Sequence, residues 1–310
     1  MFFRALGVPV AMASLTSCQH LVATPMARFG AEVSGCCLRS ALAGRPAAFA
    51  QQLQPLLDRH GLLLFRRQQP LQPTDHLRLA ECLGTVFPLP TRFQHARAPH
   101  RDILRMSNSD AEGFTGVGTS GWHVDGVSYE CPFGYALMRI VEVPSRGPTR
   151  FMPLHRLAES LRQSRPSGTR LSARCGSENV RWHQPLLYAH PRTQRLGVCL
   201  GKVSRLVSEL GGADERVLEE EEAAAVLEEL AAHVAAHAVE RAYDHAWEEG
   251  DVVVVDNLAV AHLAPPETQL PPEEIGLRVL HRVVTAGEAP LGRVPDDDGT
   301  RCLGMEPGAQ

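Results

Sequence analysis

The stretch Gly250–His262, with the sequence GDVVVVDNLAVAH, joins an apolar strand to a candidate metal ligand. A run of four valines predicts a strand that is buried on both faces. Asp256 and Asn257 end this run, and further apolar residues lead to His262. Other predicted strands lie near both ends of the chain, around a helical middle. This order predicts an α+β protein built on a β-barrel or sandwich.

The second informative stretch is WHVDG at residues 122–126, in which His123 and Asp125 are two positions apart. In extended backbone, side chains at i and i+2 point the same way, so both can reach one ion. Together with His262 they provide two imidazoles and one carboxylate, which leave up to three coordination positions open. Non-haem Fe(II) oxygenases use this arrangement. Zinc hydrolases use similar ligands, so these three residues alone leave the metal undecided.

A third stretch, LRVLHRVV at residues 277–284, predicts a strand with two cations on one face. Alternation places Arg278, Leu280 and Arg282 on the same side. Two arginines on a half-buried strand require anionic partners, because an unpaired buried charge is costly. Those partners are either acidic side chains of the protein or a small dicarboxylate bound by a guanidinium group.

Periodicity and turn residues predict the remaining elements. Helices are expected at residues 46–60, 73–83, 153–162 and 215–239, and further strands at 29–35, 61–66, 133–143, 251–256 and 277–285. A mobile loop is expected at 106–121. The proline-rich and acidic stretch 265–276 is expected to form a surface loop.

Composition narrows the classes of partner and compartment. The chain has 310 residues, a net charge of −4 and 44% hydrophobic residues, which argues against disorder and against nucleic-acid or anionic-membrane partners. No apolar run approaches the roughly 20 residues that span a bilayer. Eight cysteines without a Cys-x-x-Cys spacing indicate free thiols in a reducing compartment, and hence the cytoplasm. Residues 1–27 contain no acidic residue and several Ser and Thr, which keeps a mitochondrial leader as the alternative.

Several short stretches recur in the order and spacing of a known family. They are FGAEV at 29–33, HGLLLFR at 60–66, WHVD at 122–125, GPT at 147–149, HPRT at 190–193, WEEGD at 247–251, DN at 256–257 and RVLHR at 278–282. In this combination the chain resembles the TauD/TfdA family of Fe(II)- and 2-oxoglutarate-dependent dioxygenases, from about residue 29 to residue 287.

The resemblance implies a double-stranded β-helix (jelly roll) core with flanking helices, and an enzyme that uses Fe(II), 2-oxoglutarate and O2. It implies that His123, Asp125 and His262 are the iron ligands. It also implies that Thr149 and Arg278 bind 2-oxoglutarate, and that Arg282 binds an acidic group of a small substrate. A homo-oligomer is left open. The rival hypothesis is a catalytically silent protein that keeps the same fold for binding or regulation.

This sequence departs from the family pattern at two places. The insertion at 265–276 lengthens the spacing between His262 and Arg278, so Arg278 and Arg282 both remain candidates for binding 2-oxoglutarate. Residues 84–90, with the sequence GTVFPLP, lack the substrate histidine of taurine-specific members, which predicts a substrate other than taurine. The expected organisation is a flexible segment or leader at 1–28, a dioxygenase domain at 29–290 and a tail at 291–310.

Overall fold

The computed structural model describes residues 20–165, 170–176, 179–209 and 215–294. Most of the predicted N-terminal segment (1–28) and most of the predicted tail (291–310) lie outside these residues. Within the described ranges no helix is both long and apolar enough to cross a membrane.

Strands and helices are numbered in chain order. The strands are β1 (Val22–Pro25), β2 (Ala31–Ser34), β3 (Leu62–Phe65), β4 (Leu104–Ser107), β5 (Tyr135–Glu142), β6 (Thr149–Pro153), β7 (Leu171–Cys175), β8 (Gln184–Pro185), β9 (Leu187–Ala189), β10 (Leu196–Val198), β11 (Val203–Glu209), β12 (Glu215–Val217), β13 (Tyr243–His245), β14 (Val252–Asp256), β15 (Val260–Leu263), β16 (Val279–Val284) and β17 (Gly292–Arg293). The helices are α1 (Leu38–Gly44), α2 (Pro46–His60), α3 (Pro73–Glu81), α4 (Leu154–Ser164), α5 (Glu220–Arg241) and α6 (Pro272–Ile275). Short 3₁₀ helices cover Thr91–Phe93 and Pro266–Gln269.

The largest sheet has the strand order β1-β2-β3-β14-β5-β16-β4, and β14 lies at its centre. Its pairings are antiparallel except between β2 and β3. Val252 and Val254 pack into the core beneath the helices, while Val253 and Val255 pack into the core inside the barrel. Because both faces of β14 are buried, its apolar residues run without interruption, as predicted from the valine run.

Helix α2 forms the outer layer over this sheet, with the bounds predicted from the sequence. Phe49, Leu53 and Leu57 recur at helical spacing and are buried against the sheet. Each contributes about 1.5–3 kcal/mol of hydrophobic free energy. Gly61 ends the helix with a φ of 71°, and its N–H donates to Leu57 O at 2.7 Å. A residue with a Cβ adopts that left-handed conformation only at a cost, which explains the glycine.

The three-stranded sheet β13-β6-β15 packs against the inner face of the large sheet. Phe151 of β6 and Val260 of β15 belong to the same buried cluster as Val253 and Val255. The two smaller sheets, β12-β11-β7-β8 and β10-β9-β17, form a further core with α4 and α5. Two largely antiparallel sheets packed face to face agree with the expected jelly roll with flanking helices.

Three predicted segments differ from the structure. Residues 104–107, partly inside the predicted mobile loop, form β4 and pair with β16. The predicted surface loop at 265–276 contains a 3₁₀ turn and α6, and it buries Thr268 and Ile275. Helix α5 begins at Glu220 rather than at residue 215, because the side chains of Glu219 and Glu222 form a capping box at its N-terminus.

Candidate metal and cosubstrate site

His123 and His262 are joined by a pair of backbone hydrogen bonds. The N–H of His123 donates to His262 O at 3.1 Å, and the N–H of His262 donates to His123 O at 3.0 Å. The two imidazole rings lie 4.3 Å apart between centroids. His123 therefore reaches the site through a single bridge to β15, and its segment is not part of a continuous strand. The side chains nevertheless converge as expected.

Asp125 is held in place by Asn257, which follows β14. Asn257 accepts from the Asp125 N–H at 2.9 Å, and its amide donates to Asp125 O at 2.9 Å and to Phe133 O at 2.7 Å. Gly126 follows with a φ of 78°, and a Cβ there would lie 2.7 Å from the Phe133 ring. The end of the valine strand thus fixes the backbone that presents the carboxylate. Sequence analysis placed Asn257 only at the end of the valine strand, and its position directly after a buried strand was the one signal for such an anchor.

The three predicted ligands offer donor atoms that all lie within 4.8 Å of one another. His262 Nε2 is 3.4 Å from Asp125 Oδ2, and His123 Nε2 is 4.0 Å from Asp125 Oδ1. Two imidazole nitrogens and a carboxylate oxygen at this separation can coordinate one divalent transition-metal ion. The geometry brings together the set proposed from the sequence.

The protonation of His123 suits a metal ligand. Its Nδ1 lies 2.8 Å from Gly121 O, and a carbonyl can only accept, so Nδ1 carries the proton and Nε2 keeps a free lone pair. Burial, reinforced by the nearby His262, lowers the pKa of His123 to about 4. The ring is therefore neutral at neutral pH, as metal coordination requires.

His262 provides an independent test of whether this site fits a metal ion. It is buried, and neither of its ring nitrogens has a hydrogen-bond partner among the described residues. The short distance from its Nε2 to Asp125 is not hydrogen-bonded geometry. A buried unsatisfied nitrogen beside a carboxylate is costly without a further partner, and a metal ion would satisfy it.

Arg282 contacts Asp125, the carboxylate among the three candidate metal ligands. Its Nη1 lies 2.8 and 2.7 Å from the two oxygens of Asp125. Burial alone would raise the pKa of Asp125, but Arg282 and His262 hold it well below its usual range. The carboxylate is therefore ionised at neutral pH. No described residue accepts a hydrogen bond from Nε or Nη2 of Arg282.

Arg278 lies deeper and is only 4% exposed. Its backbone N–H donates to Asn108 Oδ1 at 2.8 Å, and its Nη2 donates to Thr149 Oγ1 at 3.3 Å. The guanidinium has no acidic partner among the described residues, and its Nε has no hydrogen-bond partner there. Burial lowers its pKa to about 10, so it is still charged at neutral pH. A buried cation in this state is suited to bind an anion that the described residues do not supply.

Thr149 begins β6 and links Arg278 to an aromatic residue that sequence reasoning did not assign to the site. The indole Nε1–H of Trp247 donates to Thr149 Oγ1 at 3.0 Å. Asn108, in the predicted loop, is a second missed residue, since its amide also donates to Leu270 O and Gly276 O and so anchors the insertion. Both act through contacts between distant parts of the chain, for which periodicity carries no signal.

One cavity joins two of the candidate metal ligands, His123 and His262, to the two arginines. Its lining consists of Met106, Val117, Gly118, His123, Met138, Thr149, His262, Ala264, Arg278, Leu280 and Arg282. Arg278, Leu280 and Arg282 face it together, as the alternation along β16 predicted, while His281 contacts Arg105 on the other face. The cavity therefore combines two candidate metal-binding histidines and two cations with an apolar wall.

Comparison with known proteins gives a consistent result. The family model described as "Taurine catabolism dioxygenase TauD, TfdA family" matches residues 22–284. The chain is 26% identical over 310 aligned residues to the alpha-ketoglutarate-dependent sulfate ester dioxygenase of Pseudomonas putida, covering 91% of this chain and 95% of that protein.

Two solved structures show the same fold. A taurine dioxygenase from Burkholderia xenovorans superposes with a TM-score of 0.71 at 24% identity, over 88% of this chain and 91% of that one. AAD-2 in complex with Mn(II) and N-oxalylglycine superposes with a TM-score of 0.66 at 19% identity, over 87% of this chain and 98% of that one. The expected jelly-roll core is thereby confirmed.

Proposed function

The chain belongs to the TauD/TfdA family and is an Fe(II)- and 2-oxoglutarate-dependent dioxygenase. We propose that His123, Asp125 and His262 hold its iron. The observation that carries the proposal is the convergence of their donor atoms within 4.8 Å. The unsatisfied nitrogens of His262 and the fixed tautomer of His123 support it. The rival hypothesis of a catalytically silent binding protein loses ground, because the whole ligand set is present.

The reaction needs chemistry that no side chain provides. When bound, Fe(II) together with O2 and 2-oxoglutarate supplies an oxidative decarboxylation to succinate and CO2, coupled to hydroxylation of a substrate C–H bond. The residues of this chain orient the reactants and keep water away. Met106, Met138 and Leu280 give the cavity an apolar wall that would limit the access of water to the reacting groups.

We assign 2-oxoglutarate to Arg278 and Thr149 rather than to Arg282. Arg278 is buried without an acidic partner and lies beside Thr149, whereas Arg282 is already paired with Asp125. A guanidinium group binds a carboxylate through charge-assisted hydrogen bonds, so the distal carboxylate of 2-oxoglutarate would supply the anion that Arg278 lacks. The two arginines that the sequence left as alternatives thus receive separate roles.

The substrate that we propose is a small organic anion bound by Arg282. Its Nη1 contacts Asp125, which leaves Nε and Nη2 for an acidic group of the substrate near the metal ligands. The apolar wall suits a hydrocarbon body. A sulfate ester is one member of this class and is the substrate type named for the Pseudomonas putida relative. Hydroxylation at a carbon that bears an ester oxygen would release the acidic group.

Anaerobic titration of the purified protein with Fe(II) and 2-oxoglutarate tests the metal assignment. A visible metal-to-ligand charge-transfer band is expected in the wild type and should be lost in His123→Ala. His155→Ala is the matched control, since His155 pairs with Glu159 on α4 outside the site. An undiminished band in His123→Ala, or none in the wild type, would contradict the assignment.

Succinate release tests the substrate class. Alkyl sulfates, sulfonates and carboxylates of equal chain length should stimulate succinate formation above the substrate-free rate, and the corresponding neutral alcohols should not. Equal stimulation by the alcohols would remove Arg282 from substrate binding. The metal assignment would be unaffected by that result.

We further propose that this enzyme works on a free small molecule in the cytoplasm, without nucleic-acid or membrane partners. The net charge of −4 and the free thiols of Cys82, Cys131, Cys175 and Cys199 support this proposal. The mitochondrial alternative and a homo-oligomer stay open. Localisation of the tagged full-length chain and light scattering in solution would test them.

A further inference from the structure

A chain of two hydrogen bonds runs from Trp247 through Thr149 to Arg278. The indole Nε1–H lies 3.0 Å from Thr149 Oγ1, and Arg278 Nη2 lies 3.3 Å from the same oxygen. All three side chains are buried, and Thr149 is 4% exposed. Thr149 and Arg278 line the cavity, whereas Trp247 lies behind them in the core inside the barrel.

The two hydrogen bonds allow only one arrangement of donors and acceptors. A hydroxyl group has one proton to donate and two lone pairs to accept with. An indole N–H and a guanidinium group can only donate, so Thr149 must accept from both Trp247 and Arg278. Its own proton is then left without an acceptor among the described residues. That proton is available to an anion in the cavity.

We propose that Trp247 is a positioning residue for the cosubstrate, which directs the Thr149 hydroxyl proton toward the carboxylate bound by Arg278. The inference rests on the proposed assignment of 2-oxoglutarate to these two residues. Without the indole N–H, one lone pair of Thr149 is free, and the hydroxyl can rotate away from the anion. When the indole N–H is present, the hydroxyl of Thr149 donates in a fixed direction to the carboxylate that Arg278 binds.

The indole itself is held in one orientation. Its ring packs edge-to-face on His245, with centroids 4.5 Å apart and an interplanar angle of 85°. His245 is opposite Thr149 in the β13–β6 pairing, and its Nδ1 lies 2.9 Å from the Tyr243 hydroxyl oxygen. Its Nε2 lies 3.1 Å from Asp251 without hydrogen-bonded geometry. Asp251 in turn is 2.7 Å from Arg66. This rigid support is what a positioning role requires.

Equilibrium binding to the anaerobic Fe(II)-loaded enzyme tests the proposal, with the charge-transfer band as the readout. Two ligands are compared: 2-oxoglutarate and 2-oxopentanoate, which has a methyl group in place of the distal carboxylate. Trp247→Phe should raise the dissociation constant of 2-oxoglutarate about three- to tenfold, the range expected for one hydrogen bond. That of 2-oxopentanoate should change less than about twofold, because the lost hydrogen bond acts on the carboxylate that this ligand lacks.

Trp182→Phe is the matched control, since Trp182 is 44% exposed and lies outside the cavity. It should leave the affinity for both ligands unchanged. A second variant replaces Trp247 with benzothienylalanine, which keeps the shape of the indole but removes its N–H. It should show the same selective weakening of 2-oxoglutarate binding, and it replaces Trp247→Phe as the test if that variant does not fold.

Coupling to Thr149 separates positioning from general packing. In a Thr149→Val background, replacing Trp247 should have no further effect on 2-oxoglutarate affinity. Equal weakening of both ligands, or a full effect of Trp247→Phe in the Thr149→Val background, would overturn the inference. Failure of the wild type to bind 2-oxoglutarate at all would instead overturn the proposed function.

Discussion

Replacing Arg278 with methionine should stabilise the ligand-free protein and remove its binding of 2-oxoglutarate. The guanidinium group is 4% exposed, has no acidic partner among the described residues and keeps its charge at neutral pH. Methionine is apolar, unbranched and able to fill an irregular space. The substitution therefore trades a buried unpaired charge for a side chain that suits its surroundings.

The magnitude follows from the cost of burying the charge. Burial lowers the pKa of Arg278 from the ordinary value of a guanidinium group to about 10. At about 1.36 kcal/mol per pKa unit, this difference corresponds to roughly 3 kcal/mol. Near pH 7 the group is charged in both the folded and the unfolded protein, so the full penalty applies. The free energy of unfolding should rise by about 2–3 kcal/mol, and the melting temperature by roughly 5 °C.

Thermal unfolding with and without Mn(II) and 2-oxoglutarate measures both effects. At about 100 times its dissociation constant, the cosubstrate should stabilise the wild type by about 2.7 kcal/mol. Without ligand, Arg278→Met should melt at a higher temperature than the wild type. Addition of 2-oxoglutarate should not change that temperature. Arg101→Met is the matched control, since the Arg101 side chain is 72% exposed, and neither quantity should change. A variant that melts below the wild type and still responds to 2-oxoglutarate would refute the reasoning.

Three further predictions concern residues around the same core. Arg282→Leu removes one charge-assisted contact to the substrate, so it should raise the KM for an anionic substrate about 10- to 100-fold and leave 2-oxoglutarate affinity within about threefold. Steady-state kinetics and cosubstrate titration measure the two quantities. An effect confined to 2-oxoglutarate would contradict this prediction. Asn257→Leu removes the hydrogen-bond partner of three backbone groups of Asp125 and Phe133. It should therefore lower the free energy of unfolding by about 2–4 kcal/mol and weaken metal binding about 10- to 100-fold. Urea unfolding and metal titration measure these two quantities, and unchanged values would exclude an anchoring role. Burial lowers the pKa of His76 from 6.5 to about 4, so the unfolded chain takes up a proton at higher pH than the folded protein does. His76 should therefore contribute about 3 kcal/mol that is present above pH 6.5 and is lost as the pH falls through 4; His76→Leu should flatten stability against pH in this window, and an unchanged slope in urea unfolding would count against it.

Much of the local structure could be predicted from the sequence. Helix α2 has the predicted bounds because its apolar spacing, its N-terminal proline and its terminal glycine all act within the helix itself. The valine run of β14 was equally readable, since a strand buried on both faces needs no polar alternation. Strand β4 and α6 were missed, because they depend on pairing with β16 and on packing of the insertion rather than on their own periodicity.

The sequence by itself determined the residue types of the candidate site, the two arginines of one strand face and the family. Those features are carried by spacing and alternation along short stretches of chain. Only the tertiary structure decided that Arg282 contacts Asp125, that Arg278 is buried beside Thr149 and that Trp247 donates to that threonine. Each of these contacts joins residues from different strands or loops. Their distances depend on sheet register and on the closure of the barrel, which no local pattern in the sequence encodes.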